Sequence, residues 1–145
     1  MSENKSSMKT VFLSVIGAVV GSIIAAHFFS GGSVKFEKQL LNASNELNKN
    51  CPMIIDKETR LDTSVGGPGK KFTYFYTLIN YSSADAVGIS KEKFEGAIKP
   101  NLVNNIRTNK NLKLFRDMEV EMIYTYRTND NKEFARISVK PQEYL

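Results

Sequence analysis

The sequence contains one cysteine, Cys51, and one histidine, His27, as candidates for nucleophilic or metal chemistry. A reactive thiolate needs a general base or a lowered pKa, and the nearby Lys49 and Lys57 supply only a charge. A metal site built on cysteine is excluded, and one built on histidine is not expected, since His27 lies in an apolar segment. We therefore expect Cys51 to be a structural thiol, without a disulfide partner, and we expect no cofactor.

Residues 66–71 (Gly-Gly-Pro-Gly-Lys-Lys) have the composition of a phosphate-binding loop. Such a loop follows a strand, precedes a helix and ends in Gly-Lys-Ser or Gly-Lys-Thr. Here Lys70 is followed by Lys71 and then by a strand-like segment. These residues therefore predict a hairpin turn.

Two groups of carboxylates are candidates for acid–base chemistry, which requires that burial separate the pKa values of neighbouring groups. The first group is Asp56, Glu58 and Asp62, and the second is Glu119 and Glu121. Both groups lie among lysines and arginines, which favours a solvated face of mixed charge. No catalytic site is predicted, and we expect the protein not to be an enzyme.

Four tyrosines lie at alternate positions in two strand-like segments: Tyr74, Tyr76, Tyr124 and Tyr126. If the two strands are neighbours, the rings form an aromatic ladder on one face of a sheet. We expect this ladder to be core beneath helices. The alternative is a surface that binds a ligand or a peptide.

Hydrophobic periodicity predicts the elements that position these residues. Apolar residues recur at helical spacing over residues 34–50 and again after Ser90, the predicted N-cap of a second helix that Pro100 kinks or splits. Strand-like segments cover residues 58–65, 71–81, 119–128 and 134–140. Residues 71–81 are apolar on both faces, as in a central strand. The order predicts an α+β domain over residues 34–145, αββαββ, with a four-stranded antiparallel sheet covered by helices.

Residues 11–29 (VFLSVIGAVVGSIIAAHFF) contain no acidic or basic side chain except His27. A helix of this length nearly spans a hydrocarbon core of roughly 30 Å and satisfies its own backbone in lipid. We predict a transmembrane helix here, with a polar tail at residues 1–10 and a hinge at residues 30–33. The apolar run is longer than the roughly 7–15 residues of a signal peptide, although cleavage after Gly32 is an open alternative.

Small residues share one face of this predicted transmembrane helix: Ser14, Gly17, Ala18, Gly21, Ser22 and Ala25. Gly17 and Gly21 form a small-xxx-small pattern that lets two helix backbones approach closely. We predict that this face packs on a helix of an identical subunit or of another protein. The alternative is that glycine and alanine are simply common in membrane helices.

The distribution of charge bears on partners and on orientation. The net charge is +5, but basic residues are interspersed with acids, which argues against nucleic-acid binding. Lys5 and Lys9 precede the apolar segment, and Lys35 and Lys38 follow it. The numbers of positive charges on its two sides are therefore nearly equal, and the positive-inside rule does not decide the orientation. The short tail favours a cytoplasmic N-terminus and an exported domain.

Three segments carry a family resemblance: residues 47–61 (with LN, CPM and DKETRL), 72–78 (FTYFYTL) and 122–126 (MIYTY). This LN…P…D.xT.L…Y.Y.L pattern resembles that of small bacterial membrane-anchored envelope proteins whose fold is similar to secretion-system pilotins. The resemblance spans residues 40–139 and implies a small periplasmic α+β domain with a binding or assembly role. Several such proteins have a cysteine pair, which this chain lacks, and pilotins usually carry a lipid anchor rather than a transmembrane helix.

The sequence therefore predicts a non-enzymatic, single-pass protein of the bacterial inner membrane with a periplasmic domain. We expect it to act as a subunit or accessory factor of an envelope complex, through a protein partner or as a homo-oligomer. The alternative is a periplasmic module that binds a peptide, lipid or glycan through an aromatic sheet face. An enzyme that uses Cys51 or the carboxylates is the least supported hypothesis.

Overall fold

The computed structural model describes residues 33–145, with side chains from Phe36 onward. The predicted tail, the predicted membrane helix with its small-residue face (Ser14, Gly17, Ala18, Gly21 and Ala25), and hinge residues 30–32 lie outside the described residues. Within residues 33–145, no helix combines the length and the apolar composition that crossing a membrane requires.

The described chain forms four helices and five strands. In chain order they are α1 (Ser33–Asn48), β1 (Met53–Ile54), β2 (Thr59–Gly66), β3 (Lys71–Leu78), α2 (Lys91–Thr108), α3 (Lys113–Asp117), β4 (Glu121–Thr128), β5 (Glu133–Val139) and α4 (Pro141–Tyr144). Short 3-10 turns lie at Asp85–Val87 and Lys110–Leu112. The predicted α+β class is confirmed, and the predicted long elements agree with the structure to within a few residues.

The first helix, α1, packs on β2 through the apolar stripe that the sequence predicts. Its buried side chains are Phe36, Leu40, Ala43 and Leu47. At the end of α1, the Asn48 amide nitrogen donates to the Ser64 carbonyl at 2.8 Å, and the Ser64 backbone N–H donates to the Asn48 side-chain oxygen at 2.7 Å. This pair of hydrogen bonds satisfies backbone groups of β2 and fixes the position of the helix along the strand.

The second helix, α2, begins as predicted at Ser90, whose hydroxyl accepts a hydrogen bond from the Lys93 N–H at 3.2 Å. The expectation that Pro100 splits the helix is wrong, because α2 continues through it to Thr108. Pro100 and Gly96, whose carbonyl loses its helical donor, are both exposed, so water can solvate that carbonyl. The opposite side of α2 is held against the sheet by four buried side chains: Phe94, Ile98, Leu102 and Ile106.

The strands form one mixed sheet in the order β1-β2-β3-β4-β5. The pair β3–β4 is parallel, from Lys71 opposite Glu121 to Leu78 opposite Thr128, and the other pairs are antiparallel. The prediction of a four-stranded antiparallel sheet is therefore wrong in strand number and in one strand direction. The connection over residues 79–120 contains α2 and returns the chain to the end where β3 begins, so β4 runs parallel to β3. The extra strand, β1, has only two residues and leaves no periodic signal.

The described helices α1, α2 and α3 lie on one face of the sheet. A Cβ built on Gly66 would lie 2.0 Å from the Leu40 carbonyl oxygen of α1. The Phe94 ring of α2 meets Tyr126 at 5.0 Å, and the Phe115 ring of α3 meets the Phe72 ring at 5.2 Å, both edge-on. We call this face, which bears the four tyrosines, the tyrosine face, and we call the opposite one the open face.

The close approach of α1 to β2 gives a prediction with a built-in control. Gly66→Ala should lower the free energy of unfolding by about 1–3 kcal/mol, because the new methyl group collides with helix backbone. Gly96→Ala should raise it by up to about 1 kcal/mol, because Gly96 lies within a helix and a Cβ there meets no atom within 4 Å.

Urea unfolding of both variants, followed by far-UV circular dichroism, measures the two changes. Equal unfolding midpoints for Gly66→Ala and the unmodified protein would contradict the tight contact between α1 and β2.

Candidate interaction surface

Cys51 lies immediately after α1, half-buried, with its thiol donating to the Leu47 carbonyl at 3.6 Å. Burial raises the pKa of this thiol, and the negative charge of Asp62 raises it further. Both effects disfavour the thiolate, which is the nucleophilic form. The arrangement is that of a structural thiol, as the sequence indicates.

The first group of carboxylates is hydrogen-bonded within the fold rather than arranged as an acid–base pair. An Asp56 oxygen accepts from the Glu58 and Thr59 backbone N–H groups, each at 2.8 Å. Glu58 accepts from the Tyr81 hydroxyl at 2.6 Å, and Asp62 accepts from Arg60 at 2.5 Å. These groups are half-buried and shape turns and strands, which differs from the solvated face predicted for them.

In the second group, Glu121 accepts from the Ser138 hydroxyl at 2.6 Å and pairs with Lys71 at 3.7 Å. Glu119 lies just before β4 with a positive φ of 54°. Within residues 33–145, no group of three or more His, Cys, Asp or Glu residues is arranged to hold a metal ion.

The glycine-rich segment is a hairpin turn between β2 and β3, as predicted. Gly67 and Gly69 adopt positive φ values of 88° and 69°, which glycine accommodates without strain. The Gly67 N–H donates to the Lys71 carbonyl at 2.8 Å, and the Gly69 N–H donates to the Glu37 carboxylate of α1 at 3.0 Å. The turn is therefore tied to α1, and a strand follows it.

The four tyrosines form two stacked pairs across the parallel strands. Tyr74 stacks on Tyr124 with ring centres 5.2 Å apart, and Tyr76 stacks on Tyr126 at 5.1 Å. Their exposed fractions are between 0% and 4%. The ladder is therefore core beneath the helices, and these side chains offer no accessible face in the described structure.

The hydroxyls of Tyr76 and Tyr126 are buried without a hydrogen-bond partner among the described residues. Burial raises the pKa of both phenols well above the ordinary value, and the neighbouring phenols add to the shift. Both groups therefore stay neutral. By contrast, the buried Tyr144 hydroxyl donates to the Val120 carbonyl at 2.7 Å and so joins α4 to the start of β4.

The open face carries apolar side chains that the tyrosine pattern does not predict. Val65 lies opposite Thr73, which lies opposite Ile123, and Phe75 occupies the next row of the same face. Val65 is 45% exposed, and Phe75 and Ile123 are half-buried. The sequence signal for this surface is the apolar character of residues 71–81 on both sides of the strand.

One arginine of the open face differs from its neighbours in its partners. Arg127 forms no ion pair with any described residue; its guanidinium carbon lies 5.2 Å from the centre of the Phe75 ring, and it donates to Asn131 at 3.3 Å. Arg127 and Phe75 are both half-buried, and arginine and aromatic side chains are enriched at protein interfaces. We therefore regard the open face as the candidate functional site.

Comparison with known proteins adds a family and a fold. Residues 35–135 match the family described as "Domain of unknown function (DUF8479)". No curated protein matches the chain in sequence.

Three solved structures share the fold. A Pseudomonas aeruginosa protein presumed to be secreted aligns with a TM-score of 0.63 and 12% identity, over 81% of this chain and 99% of that one. The type 2 secretion system pilotin of Vibrio vulnificus aligns with a TM-score of 0.61 and 12% identity, over 78% and 94%. A type II secretion pilotin of Vibrio cholerae aligns with a TM-score of 0.55 and 13% identity, over 77% of this chain and 94% of that one. The pilotin-like fold that the resemblance implied is confirmed.

The tyrosine hydroxyls give a prediction that tests their assignment to the core. Tyr76→Phe and Tyr126→Phe remove buried hydroxyls without partners, so the free energy of unfolding should be unchanged or slightly higher. Tyr144→Phe leaves the Val120 carbonyl without this donor and should cost about 1–3 kcal/mol. Urea unfolding of the three variants makes the comparison. A large decrease in the free energy of unfolding of Tyr76→Phe would show that the Tyr76 hydroxyl has a hydrogen-bond partner.

The raised pKa of Cys51 predicts low reactivity. At pH 7.5 the thiol should react with iodoacetamide several-fold more slowly than free cysteine, because a smaller fraction is thiolate. In urea, where burial and the Asp62 charge are lost, the rate should return to that of free cysteine. Mass spectrometry of timed samples measures both rates, and alkylation faster than free cysteine in the folded protein would restore Cys51 as a candidate nucleophile.

Proposed function

The chain belongs to the family described as a domain of unknown function (DUF8479), and from its pilotin-like fold we propose that it is a non-catalytic accessory protein of a bacterial envelope assembly. The observation that carries the proposal is the structural alignment of this chain with two secretion-system pilotins, which covers 94% of the length of each. A protein partner, rather than a small-molecule substrate, is the corresponding ligand.

The chemistry of the described residues supports a role in binding. Cys51 has a raised pKa, and Asp56, Glu58 and Asp62 are engaged in hydrogen bonds that shape the fold. A nucleophile paired with a base is not found among residues 33–145. What the domain presents instead is the open face, with apolar side chains and with Arg127, which has no acidic partner among the described residues.

The apolar segment at residues 11–29 supports a place in the inner membrane. In this proposal it spans the bilayer once, with residues 1–10 in the cytoplasm and the domain in the periplasm. Gly17 and Gly21 lie on the face that packs against a helix of a partner or of a second copy. The anchor would hold the domain beside the assembly that it serves.

Fractionation of cells that contain the full-length protein tests the membrane part of the proposal. The protein should resist extraction by alkaline carbonate, and protease added to spheroplasts should digest the domain. Release by carbonate, or protection of the domain from protease in intact spheroplasts, would contradict the proposed anchoring and orientation.

Light scattering of the detergent-extracted protein tests the assembly part. We expect a defined oligomer or a stoichiometric protein partner, and we expect Gly17→Ile with Gly21→Ile to reduce the association through the anchor. Val19→Ile, on the opposite side of the predicted helix, is the matched control and should have no effect. A monomer without any co-purifying protein would contradict the accessory role.

A further inference from the structure

The first turns of α1 lie at the end of the sheet where β2 ends and β3 begins. In the hairpin between these two strands, the Gly69 N–H donates to the Glu37 carboxylate of α1 at 3.0 Å. The same hairpin borders the start of β4, because the Glu121 N–H donates to the Lys70 carbonyl at 2.8 Å. The helix that begins the described chain therefore starts at this end of the sheet.

Other segments meet at the same end. The strand β5 ends there, since Val139 lies opposite Met122 near the start of β4. The helix α2 also ends there, because Arg116 of α3 donates to the carbonyls of Ile106 and Asn109, and α3 is followed directly by β4. We call this end of the domain the proximal end, which is formed by residues 36–38, 66–71, 107–121 and 139–144. The opposite end is the distal end.

The proximal end collects exposed lysines from separate segments of the chain. None of them forms an ion pair with a described residue: Lys38, Lys70, Lys110 and Lys140. Arg107 lies beside them and donates to the Glu143 carbonyl at 2.8 Å, so it also keeps its charge. The exposed acids Glu37 and Glu119 offset only part of this charge. The proximal end therefore carries a net positive charge.

The distal end has no comparable excess of lysines. The exposed Asp85 and Glu92 offset Lys57 and Lys93, the exposed lysines there without an ion pair among the described residues. The other lysines of this end are paired with acids: Lys49 with Glu46, Lys91 with Glu95, and Lys132 with Asp130. Basic and acidic residues alternate along the chain, but the fold separates the unpaired lysines to one end of the strands.

The proximal end is also the end that the proposed membrane anchor holds near the bilayer. The apolar segment ends at residue 29, and α1 begins at Ser33. Consecutive Cα atoms are about 3.8 Å apart, so the start of α1 lies within about 15 Å of the end of that segment. The negative potential of an anionic bilayer extends over a Debye length of about 8 Å at physiological salt and attracts clustered lysines.

The side chains of the proximal end suit lipid headgroups better than a protein surface. Lysine is depleted at protein interfaces. Its ammonium is a strongly hydrated point charge on a flexible stem, which pairs with phosphate without leaving water. A group of four or more basic residues next to a membrane helix is the pattern that binds anionic lipid.

We propose that the proximal end binds the anionic phospholipid headgroups of the bilayer that anchors the chain, through Lys38, Lys70, Lys110 and Lys140. This inference rests on the anchoring part of the proposed function and adds an orientation of the domain. The strands stand upright on the membrane, and the distal end and the open face point away from the lipid or to the side. Both surfaces then stay accessible to a protein partner.

Fluorescence quenching of the full-length protein in vesicles tests the inference. The vesicles contain phosphatidylcholine, with or without about 30% phosphatidylglycerol, and a trace of lipid with a nitroxide on its headgroup as the quencher. In a Cys51→Ser background, a fluorophore is attached at Asn111→Cys or, as the matched control, at Ala86→Cys. Both positions are exposed and lie in 3-10 turns, Asn111 at the proximal end and Ala86 at the distal end.

Quenching at position 111 should rise at least about twofold when phosphatidylglycerol is present, because the lysines then hold the proximal end on the headgroups. About 0.5 M NaCl should remove the increase by screening. Quenching at position 86 should stay weak in both kinds of vesicle, because the strands separate the two ends by roughly 25 Å.

Two sets of four substitutions separate the proximal lysines from net charge. Each lysine near the surface contributes roughly a fivefold factor to binding, so replacing all four with glutamine should abolish the increase at position 111: Lys38→Gln, Lys70→Gln, Lys110→Gln and Lys140→Gln. The control set removes the same charge from the distal end and should retain the increase: Lys57→Gln, Lys91→Gln, Lys93→Gln and Lys132→Gln. Equal melting temperatures exclude a folding defect, and the single variants replace a set that unfolds.

Equal quenching at position 111 in the two kinds of vesicle, equal quenching at positions 86 and 111, or an increase that the proximal substitutions leave intact would each overturn the inference. So would loss of a co-purifying protein in the proximal set with unchanged quenching, because the lysines would then bind an acidic protein. If alkaline carbonate releases the protein from the vesicles, the proposed anchor itself fails. If the protein stays inserted and phosphatidylglycerol has no effect, the anchor stands and the assignment to the proximal end fails.

Discussion

Two stacked pairs of tyrosine rings join β3 to β4, and the rest of the domain depends on this parallel contact. The rings Tyr74–Tyr124 and Tyr76–Tyr126 lie 5.2 and 5.1 Å apart, because the two strands run in register in the same direction. A parallel pair requires a crossover connection, and this connection is α2. The helix then packs back over the same rings through Phe94.

Packing on the tyrosine face determines where the polar groups of the domain go. α1 approaches β2 so closely that only a glycine fits at position 66, beneath the Leu40 carbonyl. The Asn48 side chain forms hydrogen bonds with the backbone of Ser64. The residues that looked reactive in the sequence occupy structural roles around this core. Cys51 is bonded to the end of α1, and Asp56 shapes the turn before β2. These polar groups therefore serve the fold.

With all the described helices on one face, the parallel pair is left half covered. The apolar side chains of Val65, Phe75 and Ile123 and the guanidinium of Arg127 result from the same strand alternation that buries the tyrosines. The proposal on the membrane anchor describes a domain held close to the assembly that it serves.

Periodicity along the chain determined the helical stripe of α1 and the positions of the four long strands. Residue type determined the Ser90 cap of α2 and the hairpin at Gly67 and Gly69. These features depend on residues close together in sequence, and the alternation of Tyr74 with Tyr76 is enough to predict one buried face. Only the tertiary structure decided the direction of β4, the added strand β1 and the face left open around Arg127. Strand direction is set by the path of a long connection, a two-residue strand has no period, and coverage depends on which side of the sheet every helix packs; none of these is encoded in local alternation.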